Sequence, residues 1–284
     1  MKISTVIGIA CGFLAIFGAF VWQGGTMGSL IMFPAMLIVF GGTLAAAMAG
    51  SSWEIISKIF VYLKIAFFPP RYNTEDIINQ IVEFSGIARK EGILALEPKL
   101  KIVKHPFLEK LFQICIDGAD PQTLQQIVET EIGYITDRHN ANISLFTKMG
   151  GYSPTMGIIG TVMGLISTLA AAGSDPNVLI HNIASAFIAT MWGIFMANIV
   201  WLPIGEKLRT LHNEETRLLQ VMLDGVYSVQ LGETPTVIKQ KLATVFPLTK
   251  QKRILQKRIA FSEPPSFVYY PPTEAEEAAA SKQQ

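Results

Sequence analysis

Residues Met149–Ser174 read MGGYSPTMGIIGTVMGLISTLAAAGS, without one Asp, Glu, Lys or Arg. Asp175 interrupts, and the next stretch, Pro176–Gly205, is again free of acids and of Lys and Arg. So is everything between Lys2 and Glu54. About 20 apolar residues carry a helix across a bilayer core of roughly 30 Å, whereas soluble core helices rarely keep more than about 14 in a row. The first run is long enough for two crossings and each later run for one. With half of its 284 residues apolar and only 16% charged, the chain is expected to be an all-α integral membrane protein. It should have four transmembrane helices and a large helical cytoplasmic domain.

The net charge of +1 conceals where the charges lie. Apart from Lys2, every Lys and Arg falls within Ser51–Lys148 or Glu206–Gln284. Basic loops stay in the cytoplasm, so both segments and both termini are expected inside. The expected organisation is a transmembrane hairpin over 1–53, a cytoplasmic helical domain over 54–148, a second hairpin over 149–205 and a cytoplasmic tail over 206–284. The last stretch of about 12 residues has a disordered composition. The first run is too long for a cleaved signal and reads as a retained anchor. Cys11 and Cys115 fall in different segments and are expected to be reduced.

Local signals place the elements. The second span is expected from about Leu30 to Ala49 and to continue as a helix through Glu54–Phe68. Asn73 should cap a helix with Asp76 as a capping-box acid. Asp120-Pro121 marks a helix start, and with no breaker before Gly150 that helix should run into the third span. The fourth span, about Asn182 to Pro203, should extend inward through Tyr227.

Chemistry-bearing constellations are few. There is no Gly-rich phosphate loop, no paired Cys or His at metal spacing and no nucleophile elbow, so neither an enzyme nor a cofactor or metal protein is expected. Acids and bases alternate in the inner segments, which disfavours nucleic-acid binding. His105, His139 and His212 lie in polar segments where solvated surface is the expectation, and His181 falls near the outer end of the fourth span. Gly157, Gly160, Thr161, Gly164 and Thr168 share one side of the third span, and Ala186, Thr190, Gly193 and Ala197 recur in steps of four, three and four. Such stripes either let helix backbones approach or face a separate element, with Thr161 and Thr190 available to an ion or a partner. Pro154 and Pro203 read, each by itself, as tolerated kinks rather than hinges, and a bend that couples membrane to cytoplasm would fall at such points. No span carries an acid, so a transport relay would need its carboxylate from another chain.

Three segments carry a family likeness: Gly151–Gly164 (GYSPTMGIIGTVMG), Thr190–Gly193 (TMWG) with Trp201–Pro203, and Ala88–Glu97 (ARKEGILALE). Together with Pro264–Phe267 (PPSF), in this order, they resemble the MotA/PomA family of bacterial flagellar stator subunits, over nearly the whole chain. The resemblance implies a subunit of the inner (cell) membrane that conducts cations and turns the ion gradient into torque, with protons favoured over sodium on prior frequency. It implies that Pro154 and Pro203 couple ion flow to conformational change and that Thr161 and Thr190 lie near the ion path. Arg89 and Glu97 would engage the rotor protein FliG, with Lys90 and Glu91 close enough to share that role. The implied assembly is a pentamer around MotB-type single-span partners bearing the essential aspartate. Two other readings are an ExbB/TolQ-like energy-transducing proton channel subunit, which the initial hairpin disfavours, and a non-conducting membrane scaffold.

Overall fold

A computed structural model describes residues 4–70, 73–103, 105–171, 173 and 175–256. The Pro264–Phe267 motif and the final stretch lie outside the described residues. Every regular element described is helical. In chain order these are α1 (Ser4–Trp22), α2 (Phe33–Ala49), α3 (Trp53–Ser57), α4 (Ile59–Phe67) and α5 (Thr74–Glu91). A 3-10 segment, Ile93–Ile102, precedes α6 (Pro106–Ile116), α7 (Pro121–Ala170), α8 (Pro176–Gln230), α9 (Pro235–Ala243) and α10 (Leu248–Gln256). The chain divides into two compact units, Met1–Pro69 with Asp137–His212, and Pro70–Thr136 with Asn213–Gln284.

The starts of the long helices are set by side chains that satisfy orphan amides. Asp120 Oδ1 accepts from the Gln122 and Thr123 backbone N–H groups at 3.0 Å each, and Pro121 fills the first helical position, where no donor is needed. The helix then runs unbroken to Ala170, through Pro154. Asp175 does the same for α8 by accepting from Asn177 N–H at 2.9 Å, so that helix starts a full turn and more before the expected Asn182. At Asn73 the cap differs from the expected box: its carbonyl oxygen accepts from Glu75 N–H, while its amide donates to Asp76 at 2.6 Å. The acid thus holds the cap residue's side chain.

The second apolar helix departs from expectation at both ends. A 3-10 turn occupies Met27–Leu30 and the helix opens at Phe33 with Pro34 in its first turn. It does not continue into Glu54–Phe68. Gly50 closes it, Ser52 is extended (ψ 149°), and two short helices follow. The terminal Gly50 carbonyl is taken by the Lys148 ammonium at 2.7 Å, which relieves one acceptor left open where a helix stops.

In the first unit, α7 and α8 are long and apolar enough to cross a membrane; Val6–Trp22 and Phe33–Ala49 are shorter apolar helices. Many of their large apolar side chains face outward, Leu14 at 69%, Leu169 at 75% and Phe187 at 69% exposure among them. That much apolar surface on a free chain calls for lipid or neighbouring subunits. What packs inward is aromatic. Phe17 of α1 meets Phe195 and Trp192 of α8 at centroid distances of 5.0 and 5.7 Å, and the Trp192 indole donates to the Leu30 carbonyl at 2.8 Å.

The second unit is an ordinary helical core. Ile78, Ile81 and Phe84 of α5, Leu108, Leu111 and Phe112 of α6, and Met222 and Val226 of α8 are buried together with Ile238 of α9. Phe84 and Phe112 pack as a tilted pair, centroids 5.1 Å apart and ring planes at 54°. Helices α6 and α8 both close in Schellman turns, with Gly118 (φ 87°) and Gly232 (φ 74°) in the left-handed conformation. The Ala119 N–H returns to Ile114 C=O and the Glu233 N–H to Ser228 C=O, so each glycine lets the chain turn and refill the last carbonyls. Replacing the fully buried Leu111 by Ala should cost roughly 2–5 kcal/mol, since transfer and cavity terms add; denaturant unfolding followed by circular dichroism measures it, and a loss under about 1 kcal/mol would show a core that collapses around the gap.

Candidate functional site: the glycine–threonine seam

Where α7 and α8 run side by side, the small-residue stripes face one another. A Cβ on Gly193 would lie 2.7 Å from the Ser153 carbonyl oxygen and 3.1 Å from Gly157 Cα. One on Gly157 would lie 3.0 Å from the Ala189 carbonyl, and one on Gly164 would lie 2.7 Å from Ala186 Cβ. The neighbours of Gly193 and Gly157 are backbone atoms and that of Gly164 is an alanine methyl, so no rotamer change relieves these contacts. The glycines are needed for approach, and between them the hydroxyls of Thr161 and Thr190 meet.

Thr161 Oγ1 hydrogen-bonds to Thr190 Oγ1. It also lies 3.1 Å from the carbonyl of Gly157, four residues back on its own helix, and 3.2 Å from that of Ala186 across the seam. Thr190 Oγ1 is 3.4 Å from the Gly157 carbonyl. Two hydroxyl protons therefore have two carbonyls and each other's oxygen to choose from, and the pair is satisfied within the subunit. The result is a small cluster of neutral oxygens, two hydroxyl and two carbonyl. Hard cations bind such oxygens, but nothing in the seam can take up a proton. Among the described residues, no group of three or more His, Cys, Asp and Glu is placed to hold a metal ion.

The two prolines bracket this seam along the chain. Pro154 has no N–H to offer the Gly150 carbonyl one turn back, and its neighbour Ser153 is fully buried with a hydroxyl that lacks a partner. Pro203 follows a π-helical turn, Met196–Trp201, in which Leu202 N–H reaches back five residues to Ala197 C=O. A proline ring presses on the carbonyl four residues earlier, and the wider turn makes room for it.

Two family matches cover successive stretches of the chain. Residues 6–92 match the family described as Motility protein A N-terminal, and residues 99–221 match the MotA/TolQ/ExbB proton channel family. Motility protein A of Bacillus subtilis is 34% identical over 87% of this chain and 92% of its own length. The chain belongs to the motility protein A family. Within that family it is also similar to chemotaxis protein PomA of Vibrio alginolyticus, 31% identical over 90% of this chain and 99% of the relative. The flagellar MotAB stator complex of Bacillus subtilis contains a chain that superposes with a TM-score of 0.82 at 32% identity, covering 88% of this chain and 98% of that one. A chain of the C. jejuni MotAB structure gives 0.82 at 26% identity, covering 87% and 97%.

This motility protein A relative brings Thr161 and Thr190 together, with Pro154 about two turns before Thr161 on α7. The four charged candidates belong to the other unit. Arg89, Lys90 and Glu91 end α5 and Glu97 sits on the 3-10 segment; all four are exposed, and no ion pair joins them to one another.

Sequence reasoning missed the histidines. His139 of α7 and His212 of α8 are not solvated but face each other, Nδ1 to Nδ1, at 3.2 Å. Burial, then the neighbouring His212 ring and Arg138, pulls the His139 pKa down to about 4. Burial also lowers that of His212 and takes His105 to about 4. The pair was not legible because its members are 73 positions apart and each alone sits among polar residues.

Two outcomes follow from this geometry. Gly193→Val should cost at least the 1–3 kcal/mol typical of overpacking, whereas Gly8→Ala, with open space around it, should be silent; thermal unfolding in detergent compares them, and equal melting temperatures would refute the close approach. A lowered histidine pKa means the unfolded chain binds the proton first, so stability should fall as pH drops from 6.5 towards about 4. His139→Gln should flatten that part of the profile in the same assay, and an unchanged slope would remove the histidine from the account.

Proposed function

We propose that this motility protein A relative is the ion-conducting stator subunit of a flagellar motor, working in the inner membrane with a MotB-type partner. Four spans in two hairpins, 1–53 and 149–205, would cross the bilayer, leaving 54–148 and 206–284 in the cytoplasm with both termini. The charge-free runs and the basic bias of the intervening segments support that topology. The observation that carries the functional reading is the seam: paired hydroxyls and close-packed glycines, with no Asp, Glu, Lys or Arg in either helix run.

A transport path needs a group that gains and loses charge. Here that acid comes from the partner, in keeping with solved relatives described as MotAB complexes. When the partner's carboxylate takes up its cation, its demand for hydroxyl donors falls, and Thr161 and Thr190 are free to pair with each other. When the ion leaves, the charged carboxylate competes for those same hydroxyls. Each charge crossing 100 mV releases about 2.3 kcal/mol, comparable with the rearrangement of one or two hydrogen bonds. Pro154 and Pro203 supply the points where the helices yield. The subunits form a ring, a pentamer by family likeness, around the partner helices.

Torque passes through Arg89 and Glu97, aided by Lys90 and Glu91, to the rotor protein FliG. Exposed pairs are individually weak, about 0–1 kcal/mol, which suits alignment and quick release. Protons are the favoured coupling ion. The match of residues 6–92 to a motility-specific family favours this reading over an ExbB/TolQ-like channel, and over a non-conducting scaffold.

Co-reconstitution with the partner in vesicles tests it. Cation flux should need both chains, follow a pH gradient and ignore sodium; Pro154→Ala should assemble normally yet support no motility in cells. Flux from this chain alone would sink the reading, and sodium-dependent flux would reassign the ion.

A further inference from the structure

Between Glu233 and Glu263 the chain has seven Lys and Arg and not one acid. Over 51–148 and 206–233 acids outnumber bases by 17 to 14, so this run is a local feature and not the average composition. It covers α9 and α10. Helix α9 turns back along α8: a Cβ on Gly225 would lie 3.0 Å from Leu242 Cδ1, and the Lys241 ammonium donates to Ser228 Oγ at 2.9 Å. The chain leaving α9 therefore heads in the direction from which α8 came. On α9, Glu233 lies 3.8 Å from Lys241. On α10 the bases have no such answer. Among the described residues no ion pair engages Lys250, Lys252 or Arg253, and all three are exposed. Lys250 rests over the Phe246 ring, 4.4 Å from its centroid. Ile254 is the buried residue of the helix, while Leu248 and Leu255 are 75% and 39% exposed. Leu248, Lys252 and Leu255 share one side by their spacing of four and three. Lys250 and Arg253 stand on another, and Lys257 and Arg258 follow in the sequence.

Like charges this close together repel, and an anionic surface relieves that repulsion. The cytoplasmic leaflet of a membrane carries such a potential, and clusters of four to eight bases on an amphipathic helix are drawn to it. Exposed leucines beside the bases add a second gain, because apolar side chains enter the boundary between headgroups and acyl chains. Nucleic acid would match the charge and leave Leu248 and Leu255 in water. An anionic bilayer matches both. Spans α7 and α8 already hold this chain to a bilayer, so docking is intramolecular and proceeds at high effective concentration.

We propose that α10, with the bases that follow it, docks on anionic phospholipid headgroups at the cytoplasmic face of the membrane. Leu248 and Leu255 enter the headgroup boundary, and Lys250, Lys252 and Arg253 pair with phosphates. The proposal rests on the topology above, in which 206–284 is cytoplasmic. It gives the second unit an attachment to the bilayer beyond the two continuous helices, and that attachment resists the reaction to the force the unit delivers.

The full chain, purified with its partner, tests this in nanodiscs of phosphatidylcholine alone or mixed with phosphatidylglycerol. A photo-crosslinking amino acid in place of Leu255 should form phosphatidylglycerol adducts, read by mass spectrometry, that are several-fold weaker in phosphatidylcholine and in high salt. Changing Lys250, Lys252 and Arg253 together to Gln should lower the ratio of docked to free helix about a hundredfold and remove the adduct, with thermal unfolding unchanged. Lys250→Arg with Lys252→Arg should retain it. Equal labelling in both bilayers overturns the proposal, and so do adducts confined to residues 257–284, to a second copy of this chain or to another protein. A C-terminal alkaline phosphatase fusion separates the two readings. An active fusion places the tail outside, and the topology falls with the docking. An inactive fusion without lipid adducts leaves the topology standing, and only the docking falls.

Discussion

Everything in the first unit depends on how near two helix backbones come. Gly157 and Gly193 bring α7 and α8 within reach of each other's carbonyls, and only at that distance do Thr161 and Thr190 touch. Side chains one methyl larger would separate the helices, leave each hydroxyl to its own helix and erase the oxygen cluster. The stripes therefore serve both readings the sequence allowed: they pack, and by packing they make the polar pair. The absence of any charge in these runs has the same root, since an unpaired charge cannot be accommodated in so apolar and tightly closed a seam.

The second unit answers to different physics. Its core is aliphatic and aromatic, its helices are closed by glycine turns, and its exposed charges sit at helix ends where they cost little. Arg89 and Lys90 lie in the last turn of α5, where a cation is favoured by the helix dipole. Helix-end placement alone would explain their residue types. What distinguishes Arg89 is its position on the wall of a cleft built from two other helix ends.

Much of this was legible in the chain. Asp120-Pro121 predicted a helix start that Asp120 caps, the lack of a breaker predicted the single helix through Pro154, and the spacing of Gly157, Gly160, Thr161 and Gly164 placed them on one face. Those signals are local, or periodic along one element. What escaped depends on partners remote in sequence. The break at Gly50–Ser52 is fixed by Lys148 from another helix, the histidine pair needs α7 beside α8, and the cleft needs three helix ends at once. The π turn before Pro203 also escaped: proline announces a disturbed helix, but whether the chain kinks or widens depends on what packs around it.

The internally satisfied threonines carry one further consequence. Because one of the Thr161 and Thr190 hydroxyls donates to the other, which in turn has a carbonyl within reach, a lone subunit in a bilayer would present hydrocarbon with no dangling donor there. Copies made ahead of their companion would then sit idle as inert passengers in the lipid. The cell could hold a reserve of them without draining the gradient the motor lives on.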